Sequence, residues 1–362
     1  MEQLIGVLGI LVVFGAIVAI HEFGHFICAK LSKMGVYEFS LGFGPAIFKR
    51  ESNGTLYAVR IIPLGGYVRI AGMEVGEEDR PDGYDKKSFF AKFATLIAGA
   101  TMNFVLAFFL FIIVGMTVGY GLIVNKPIIG DVQPDSPAAH AQLQAGDRMV
   151  SINGTTVSSW DEVTKILHAN RAEVTMVIER DHARQTVKIV PKEMLDYKLH
   201  GLRLRPVKYY GIGIMASVTL QRVGPLQSVV LGSQQVYDKT KLVLASIVSM
   251  ITRDVSAKDI SGPVAVMRIS YDASKDALIS REKMANFLSL FAFLSINIGF
   301  FNLLPIPALD GGRLLFLIAE KIYGKPFDRD KEAMVHMVGM ALLLGLILLV
   351  TVKDILGWIG GR

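Results

Sequence analysis

Charge and cysteine are what this 362-residue chain has little of: Asp, Glu, Lys and Arg make up 19% of it, and Cys28 is its single cysteine. A soluble globular chain carries roughly a quarter charged residues, so the deficit excludes a disordered chain, a coiled coil and an ordinary soluble enzyme. One cysteine excludes an intramolecular disulfide framework and any Cys-rich zinc knuckle. A metal, if bound, must be held by His, Asp and Glu. Also missing is any basic run or aromatic-basic interleaving. The net charge of +6 therefore does not indicate nucleic acid, since most Lys and Arg fall between apolar segments, where membrane topology accounts for them.

What is present is hydrophobic and unevenly spread. Several stretches approach or pass the roughly 20 apolar residues that a helix needs to cross about 30 Å of hydrocarbon, which indicates an integral membrane protein in a lipid bilayer. Residues 3–20 are uncharged, and apolar character resumes over Phe26–Ala29. A signal peptide would show Lys or Arg ahead of a shorter run, whereas Glu2 stands here; a retained first span is expected. Further uncharged runs cover Phe93–Asn125, Met284–Leu309 and, with His336 neutral, Ala333–Val352. Four spans put both termini on one side. The loops after the first and third spans are rich in Lys and Arg, which biases them to the cytoplasm, so both termini and the long segment from about 126 to 283 are expected outside.

The chain then divides into a first transmembrane helix (1–30), a cytoplasmic-side loop (31–90), a second transmembrane helix (91–122), a soluble module (123–216), amphipathic membrane-surface helices (217–283), a third transmembrane helix (284–316), a cytoplasmic loop (317–332) and a fourth transmembrane helix (333–356). In the first loop, Tyr37–Phe48 and Thr55–Ile70 are rich in aromatic and β-branched residues and flank Glu51-Ser52-Asn53-Gly54, a hairpin turn signal. Pro63, Gly65 and Gly66 suit an edge or a bulge. Residues 223–252 are mostly apolar but broken by Asp238, Lys239 and Lys241, so a helix lying on the membrane is preferred to a fifth span.

At the end of the first span stands His21-Glu22-Phe23-Gly24-His25. A helix puts residues i and i+4 on one face, so the two imidazoles can converge on one metal while Glu22 reaches a water there. Ionisable groups within a span are costly and by default functional. A catalytic zinc takes three protein ligands, and Asp310 is the candidate third, within Asn302-Leu303-Leu304-Pro305-Ile306-Pro307-Ala308-Leu309-Asp310-Gly311-Gly312. Irregular backbone at membrane depth is tolerated where it lines a wet cavity or is buried in protein. The residues alone leave Asp310 equally open to the role of a helix cap.

These two motifs, in this order and with a soluble module between them, resemble the site-2 protease family of intramembrane zinc metalloproteases, and more closely its bacterial RseP-type members. The resemblance covers essentially the whole chain. It implies a polytopic α-helical protein of the bacterial inner membrane with four transmembrane helices, a membrane-associated β-hairpin and an inserted extracytoplasmic PDZ-like α+β domain. It implies Zn2+ held by His21, His25 and Asp310, Glu22 as the general base, and peptide cleavage within transmembrane segments by zinc-activated water attack. Asn302 and Asn297 map onto asparagines that hold substrate, and Gly65 and Gly66 would let an extended substrate approach a hairpin edge around Ile61–Val68. The implied partners are membrane proteins with a single transmembrane helix, such as a pre-trimmed anti-sigma factor in a stress response or a remnant signal peptide.

Ile128–Val132, Pro134–Ala138 and Leu143–Gly154 resemble a bacterial PDZ domain, whose carboxylate-binding loop would fall at Tyr210-Gly211-Ile212-Gly213. Backbone N–H groups of such a loop can cradle a chain terminus. Only one such unit is seen where several family members carry two, and Arg313 follows the Asp-Gly-Gly where some relatives have another residue. Ile260-Ser261-Gly262-Pro263-Val264 also matches a family segment. The alternative function is a non-catalytic PDZ-containing receptor or adaptor with a structural metal site, which would ordinarily be closed by four protein ligands. A transporter would show repeated spans, which are not found.

Overall fold

The computed structural model describes residues 2–74, 76–77, 80–255 and 262–359. Along the chain run α1 (Glu2–Leu31), β1 (Val36–Ser52), β2 (Thr55–Ile70), α2 (Phe89–Thr117), β3 (Tyr120–Ile123), β4 (Ile129–Val132), α3 (Pro137–His140), β5 (Arg148–Ile152), β6 (Thr155–Thr156), α4 (Trp160–Ala169), β7 (Val174–Arg180), β8 (Ala183–Ile189), β9 (Lys192–His200), β10 (Arg203–Gly211), β11 (Ile214–Ala216), β12 (Val218–Gln221), α5 (Pro225–Ile251), α6 (Pro263–Asp276), α7 (Arg281–Asn302), α8 (Asp310–Tyr323) and α9 (Arg329–Ile359). They form two units. One comprises Met1–Met116, Gly224–Val243 and Lys258–Arg362; the other comprises Thr117–Val223 and Leu244–Ala257.

Among the described residues, four helices are long and apolar enough to cross a membrane: Gln3–Leu31, Phe89–Thr117, Arg281–Asn302 and Arg329–Leu356. The chain is a multi-pass membrane protein. The third of these helices ends at Asn302 rather than running on through the Asp-Gly-Gly, because Pro305 and Pro307 lack the N–H that an α-helix needs. Leu303–Leu309 is irregular, and α8 begins afresh at Asp310. It stops at Gly324, which takes the left-handed conformation (φ 71°) that suits glycine.

In the first unit α1 and α2 approach backbone to backbone. A Cβ built on Gly24 would lie 2.9 Å from the Gly99 nitrogen, so only glycine allows this crossing. α6 packs on α1, α7 and α9; its Ser274 is buried and donates to the Gly6 carbonyl at 3.0 Å. Of the Ile260–Val264 segment, Ile260 and Ser261 lie outside the described residues.

β1 and β2 meet at Asn53-Gly54, both with positive φ, the combination a tight two-residue hairpin turn requires. The pairing goes beyond a plain hairpin. Glu51 and Ser52 face Leu56 and Thr55, yet Glu38–Leu41 pair both with Leu56–Val59 and with residues 66–69. The ribbon doubles back, so that Val36–Leu41 lies inside and Gly66–Ile70 pairs with β1 alone. Arg60 fixes the doubling by donating to Glu38 (2.6 Å), Ser40 Oγ (2.7 Å), the Gly44 carbonyl and the Tyr67 hydroxyl (2.9 Å). Burial alone would raise the Glu38 carboxyl, but the Arg60 guanidinium and Tyr67 hydroxyl outweigh it and hold the acid below its ordinary range.

The second unit is built on a four-stranded sheet in the order β6-β5-β7-β8, with β11-β4, β12-β3 and β10-β9 as separate pairs. Alternate residues Val174, Met176 and Ile178 of β7, with Met149 and Ile152 of β5 on either side of a register shift, form one core, closed by Val163 and Leu167 of α4. α4 starts at Ser159, whose side chain accepts from the Glu162 N–H, while Glu162 accepts from the Ser158 N–H at 2.7 Å. Asp147 is 1% exposed, and Arg180 grips it with two bonds of 2.7 Å.

Candidate metal centre

α1 presents His21 and His25 one turn apart, both buried, and α8 brings Asp310 to them from its first turn. His21 Nε2 lies 3.0 Å and His25 Nε2 3.1 Å from the same oxygen, Asp310 Oδ2, and the two Nε2 atoms are 3.2 Å apart. Two of the expected ligands are thus four residues apart and the third is 285 residues away. The triangle has the right size for a cation. Metal–ligand bonds of about 2.0–2.1 Å in a tetrahedron separate the donors by about 3.3 Å.

The hydrogen-bond inventory points the same way. His25 Nδ1 donates to the Thr95 carbonyl at 2.7 Å, which leaves the Nε2 of a neutral ring as a bare lone pair. That lone pair faces a carboxylate oxygen and a second Nε2. With the His21 proton on Nδ1, all three atoms are acceptors and call for a positive charge among them, and two imidazoles with one carboxylate make a donor set zinc accepts.

α2 supplies the outer support. Thr95, Gly99 and Asn103 recur every fourth residue, so they share one face. Thr95 holds His25, as described. A Cβ on Gly99 would lie 2.7 Å from His21 Nε2, so both rings pack against bare backbone. The Asn103 carboxamide meets His21 Nδ1 at 3.2 Å. As drawn, its nitrogen faces the ring and its Oδ1 is buried without a partner among the described residues. The two ends of an amide are interchangeable in shape, and turning it over lets His21 Nδ1–H donate to Oδ1. None of these three residues stands out in the sequence, because small and polar residues at four-residue spacing are common in a membrane helix.

Glu22, between the histidines, lines an open cleft of ≈ 340 Å³ together with His25, Asp310, Arg313, Thr95 and Tyr67–Ile70 of β2. Its carboxyl lies beside the Val68 backbone, and a Cβ on Gly66 would stand 3.4 Å from Glu22 Cγ and 2.8 Å from the Ser40 carbonyl oxygen. Gly66 therefore permits the strand's approach to the acid. Gly65 has φ 108° and lies against the Phe43 ring, where a side chain would collide.

Other expected site residues are placed differently. Asn297 Nδ2 donates to the Phe293 carbonyl (2.8 Å) and Asn302 Nδ2 to that of Ile298 (3.0 Å), each on its own helix; neither lines the cleft. In the second unit Gly211, Ile212 and Gly213 line a pocket of ≈ 50 Å³ with Trp160, Leu167 and His168 of α4. Tyr210 does not line it; Tyr209 does, and the Arg171 guanidinium stands 5.2 Å from the Tyr210 ring. The Ile212 and Gly213 carbonyls already accept from the Ala138 and Gln133 N–H groups.

Fold and site together define a class, a multi-span membrane protein with a two-histidine, one-carboxylate donor set and an acid beside it in a cleft. The model of peptidase family M50 matches residues 9–346, and the chain belongs to that family. It is 33% identical to the zinc metalloprotease RasP of Oceanobacillus iheyensis, over 96% of this chain and 98% of that protein. It is 29% identical to the regulator of sigma-W protease RasP of Bacillus subtilis, again over 96% and 98%. Among solved structures, the PDZ domain of an SdrC-like protein from Listeria monocytogenes is 23% identical over 26% of this chain and 90% of its own, with a TM-score of 0.21, too low to argue from.

Proposed function

We propose that the chain is an intramembrane zinc endopeptidase that cleaves transmembrane segments of other membrane proteins, with His21, His25 and Asp310 as zinc ligands and Glu22 as general base. The observation that carries this reading is the convergence of two Nε2 atoms on one Asp310 oxygen within 3.0–3.1 Å, beside a carboxyl in the same cleft. Zinc held there would lower the pKa of a water toward neutrality and polarise a carbonyl. Glu22 takes the water's proton and passes it to the leaving amine. The Val68 backbone lies beside the acid, and Thr95 and Asn103 fix the imidazoles.

A helical peptide bond is shielded by its own hydrogen bonds, so substrate must be drawn out before attack. Gly66–Ile70, with β1 on one side and the cleft on the other, is the strand to which an extended substrate adds. The hairpin lies at the cytoplasmic membrane surface, and both termini and residues 126–283 face outward from the bacterial inner membrane. Asn297 and Asn302, with carbonyl oxygens available once their amides have bonded within α7, assist from further out. The second unit is a PDZ-like module, its pocket between α4 and Gly211–Gly213 reading a chain terminus or excluding bulky ectodomains. A relative's name, regulator of sigma-W protease, supports substrates of the anti-sigma-factor kind with one transmembrane helix.

The test is cleavage of a single-span substrate by detergent-purified protein, with bound zinc measured in parallel. Glu22→Gln should lose cleavage by about 10²–10⁴-fold and keep its zinc, whereas Asp310→Ala should lose both. Cleavage by Glu22→Gln at the wild-type rate would remove the general base from the mechanism. Zinc retained in full by Asp310→Ala would remove the third ligand.

A further inference from the structure

Asp310 is delivered to the metal centre by the irregular stretch Leu303–Leu309, and one feature of that stretch is strained. Ala308 has φ 82°, a left-handed conformation that is unfavourable for a residue with a side chain and persists only where its surroundings hold it. The backbone hydrogen bonds show what holds it. Leu303 and Leu304 donate to the Phe300 and Phe301 carbonyls, Ile306 to Leu304 and Leu309 to Ile306, while Pro305 and Pro307 have no N–H. The Ala308 N–H alone leaves this local set, donating to His336 Nδ1 of α9 at 2.9 Å. One turn further along α9, a Cβ on Gly339 would fall 2.8 Å from the Pro307 carbonyl oxygen and 2.9 Å from its carbon. α9 thus reaches the Pro307–Ala308 turn at two adjacent points, once by an imidazole lone pair and once by the absence of a side chain.

With Nδ1 accepting, the ring's proton belongs on Nε2, which is buried and unpartnered among the described residues, with Glu332 Oε1 4.0 Å away. The ring is therefore held by its Nδ1 bond and by packing on Phe316, 5.6 Å between centroids. We propose that His336 is a positioning residue for the metal centre: with Gly339 it holds the Pro307–Ala308 turn in the conformation that aims Asp310 at the two imidazoles. This rests on the reading of Asp310 as a zinc ligand. It makes α9, which contributes no ligand, a determinant of how tightly the ion is held.

The experiment measures the rate at which full-length, zinc-loaded protein in detergent releases zinc to a chelator, together with thermal unfolding of the zinc-stripped protein. His336→Leu keeps the bulk and removes the acceptor; His336→Asn keeps an acceptor, Oδ1, near the place of Nδ1. His336→Leu should release zinc about 10-fold faster, at the lower end of what outer-support changes cause, while His336→Asn stays close to wild type and the stripped proteins unfold alike. Gly339→Ala, which displaces Pro307, should also release zinc faster, and it carries the test if His336→Leu does not fold. Equal release from the Leu and Asn variants, at any rate, would overturn the proposal, as would wild-type release from Gly339→Ala. Asp310→Ala is run alongside: unchanged release there would fault the ligand assignment itself, whereas fast release there with wild-type behaviour in the α9 variants would fault only the role of His336.

Discussion

Asp147 and Asp310 are both carboxylates withdrawn from water, and their partners differ in kind. Asp147, in the second unit, is closed by a two-pronged Arg180 guanidinium and by the Gln144 N–H at 2.9 Å. Every one of those partners donates, and the charge is neutralised within the protein. Among the described residues, Asp310 meets only the Nε2 atoms of two histidines, one of which has already spent its other nitrogen on the Thr95 carbonyl. A buried acid that serves the fold is given donors and a countercharge, since an unpaired buried charge costs several kcal/mol. An acid that serves a cation is surrounded by further acceptors and left for the ion to complete. The acids differ in depth, Asp147 being buried and Asp310 half-buried at the cleft, but the contrast that decides their roles lies in the type of partner.

The largest effects should come from exchanging the two situations. Asp310→Asn should cut zinc retention under chelator by more than the 10–100-fold typical of changes in outer support, yet leave zinc-stripped protein no less stable to heat, because no Arg or Lys among the described residues pairs with the acid. If the stripped variant unfolded well below wild type, Asp310 would be a structural acid like Asp147, and the comparison would collapse.

Asp147→Ala should do the reverse, leaving zinc release unchanged while weakening the second unit by about 3 kcal/mol, the lower end for breaking a buried pair, since Arg180 is partly exposed. Hydrogen exchange of the β5 and β7 amides in the full chain reads this directly. The pH dependence has a definite sign. Burial alone would raise the Asp147 carboxyl, but Arg180 and the Gln144 N–H more than offset it and lower its pKa. The contribution is therefore fully present above the unfolded value of about 4 and is lost as pH falls below that value through the lower folded one. A wild-type advantage that stayed constant from pH 7 down to the acid limit of folding would contradict this.

How much of this was legible in the sequence depends on whether a residue is out of place in its run. His21, Glu22 and His25 interrupt an apolar span, where ionisable groups are expensive, so they declare themselves. Asn53-Gly54 is legible because both positions need positive φ. The doubling back of β1 and β2 is not, since it depends on Arg60 reaching Glu38 and Tyr67 across the ribbon. Asn297 and Asn302 stood out as carboxamides in a span, but a carboxamide can bond its own helix, and both do. Thr95, Gly99 and Asn103 are individually ordinary in a membrane helix, where small and polar residues commonly serve packing; only their position against the histidines separates them. His336 reads as a neutral residue in an apolar run until the turn at Ala308 is seen beneath it.

The smallest effect tests the same rule one bond further out, at Asn103. Asn103→Leu leaves His21 Nδ1 without a partner and should weaken zinc binding by about 10-fold, with little change in the stripped protein. Asn103→Asp separates the two ways the carboxamide can face the ring. An ionised carboxylate only accepts, so it supports His21 where Nδ1 carries the proton and leaves Nε2 free for the ion. If the carboxamide nitrogen instead donates to a bare Nδ1, a carboxylate there would repel the ring's lone pair. Zinc release from Asn103→Asp at or below the wild-type rate places the proton on Nδ1 and extends the acceptor logic of Asp310 outward to α2. Release as fast as from Asn103→Leu would mean that His21 offers its other nitrogen, and the triangle of Nε2 atoms and Asp310 Oδ2 would no longer describe how the ion is held.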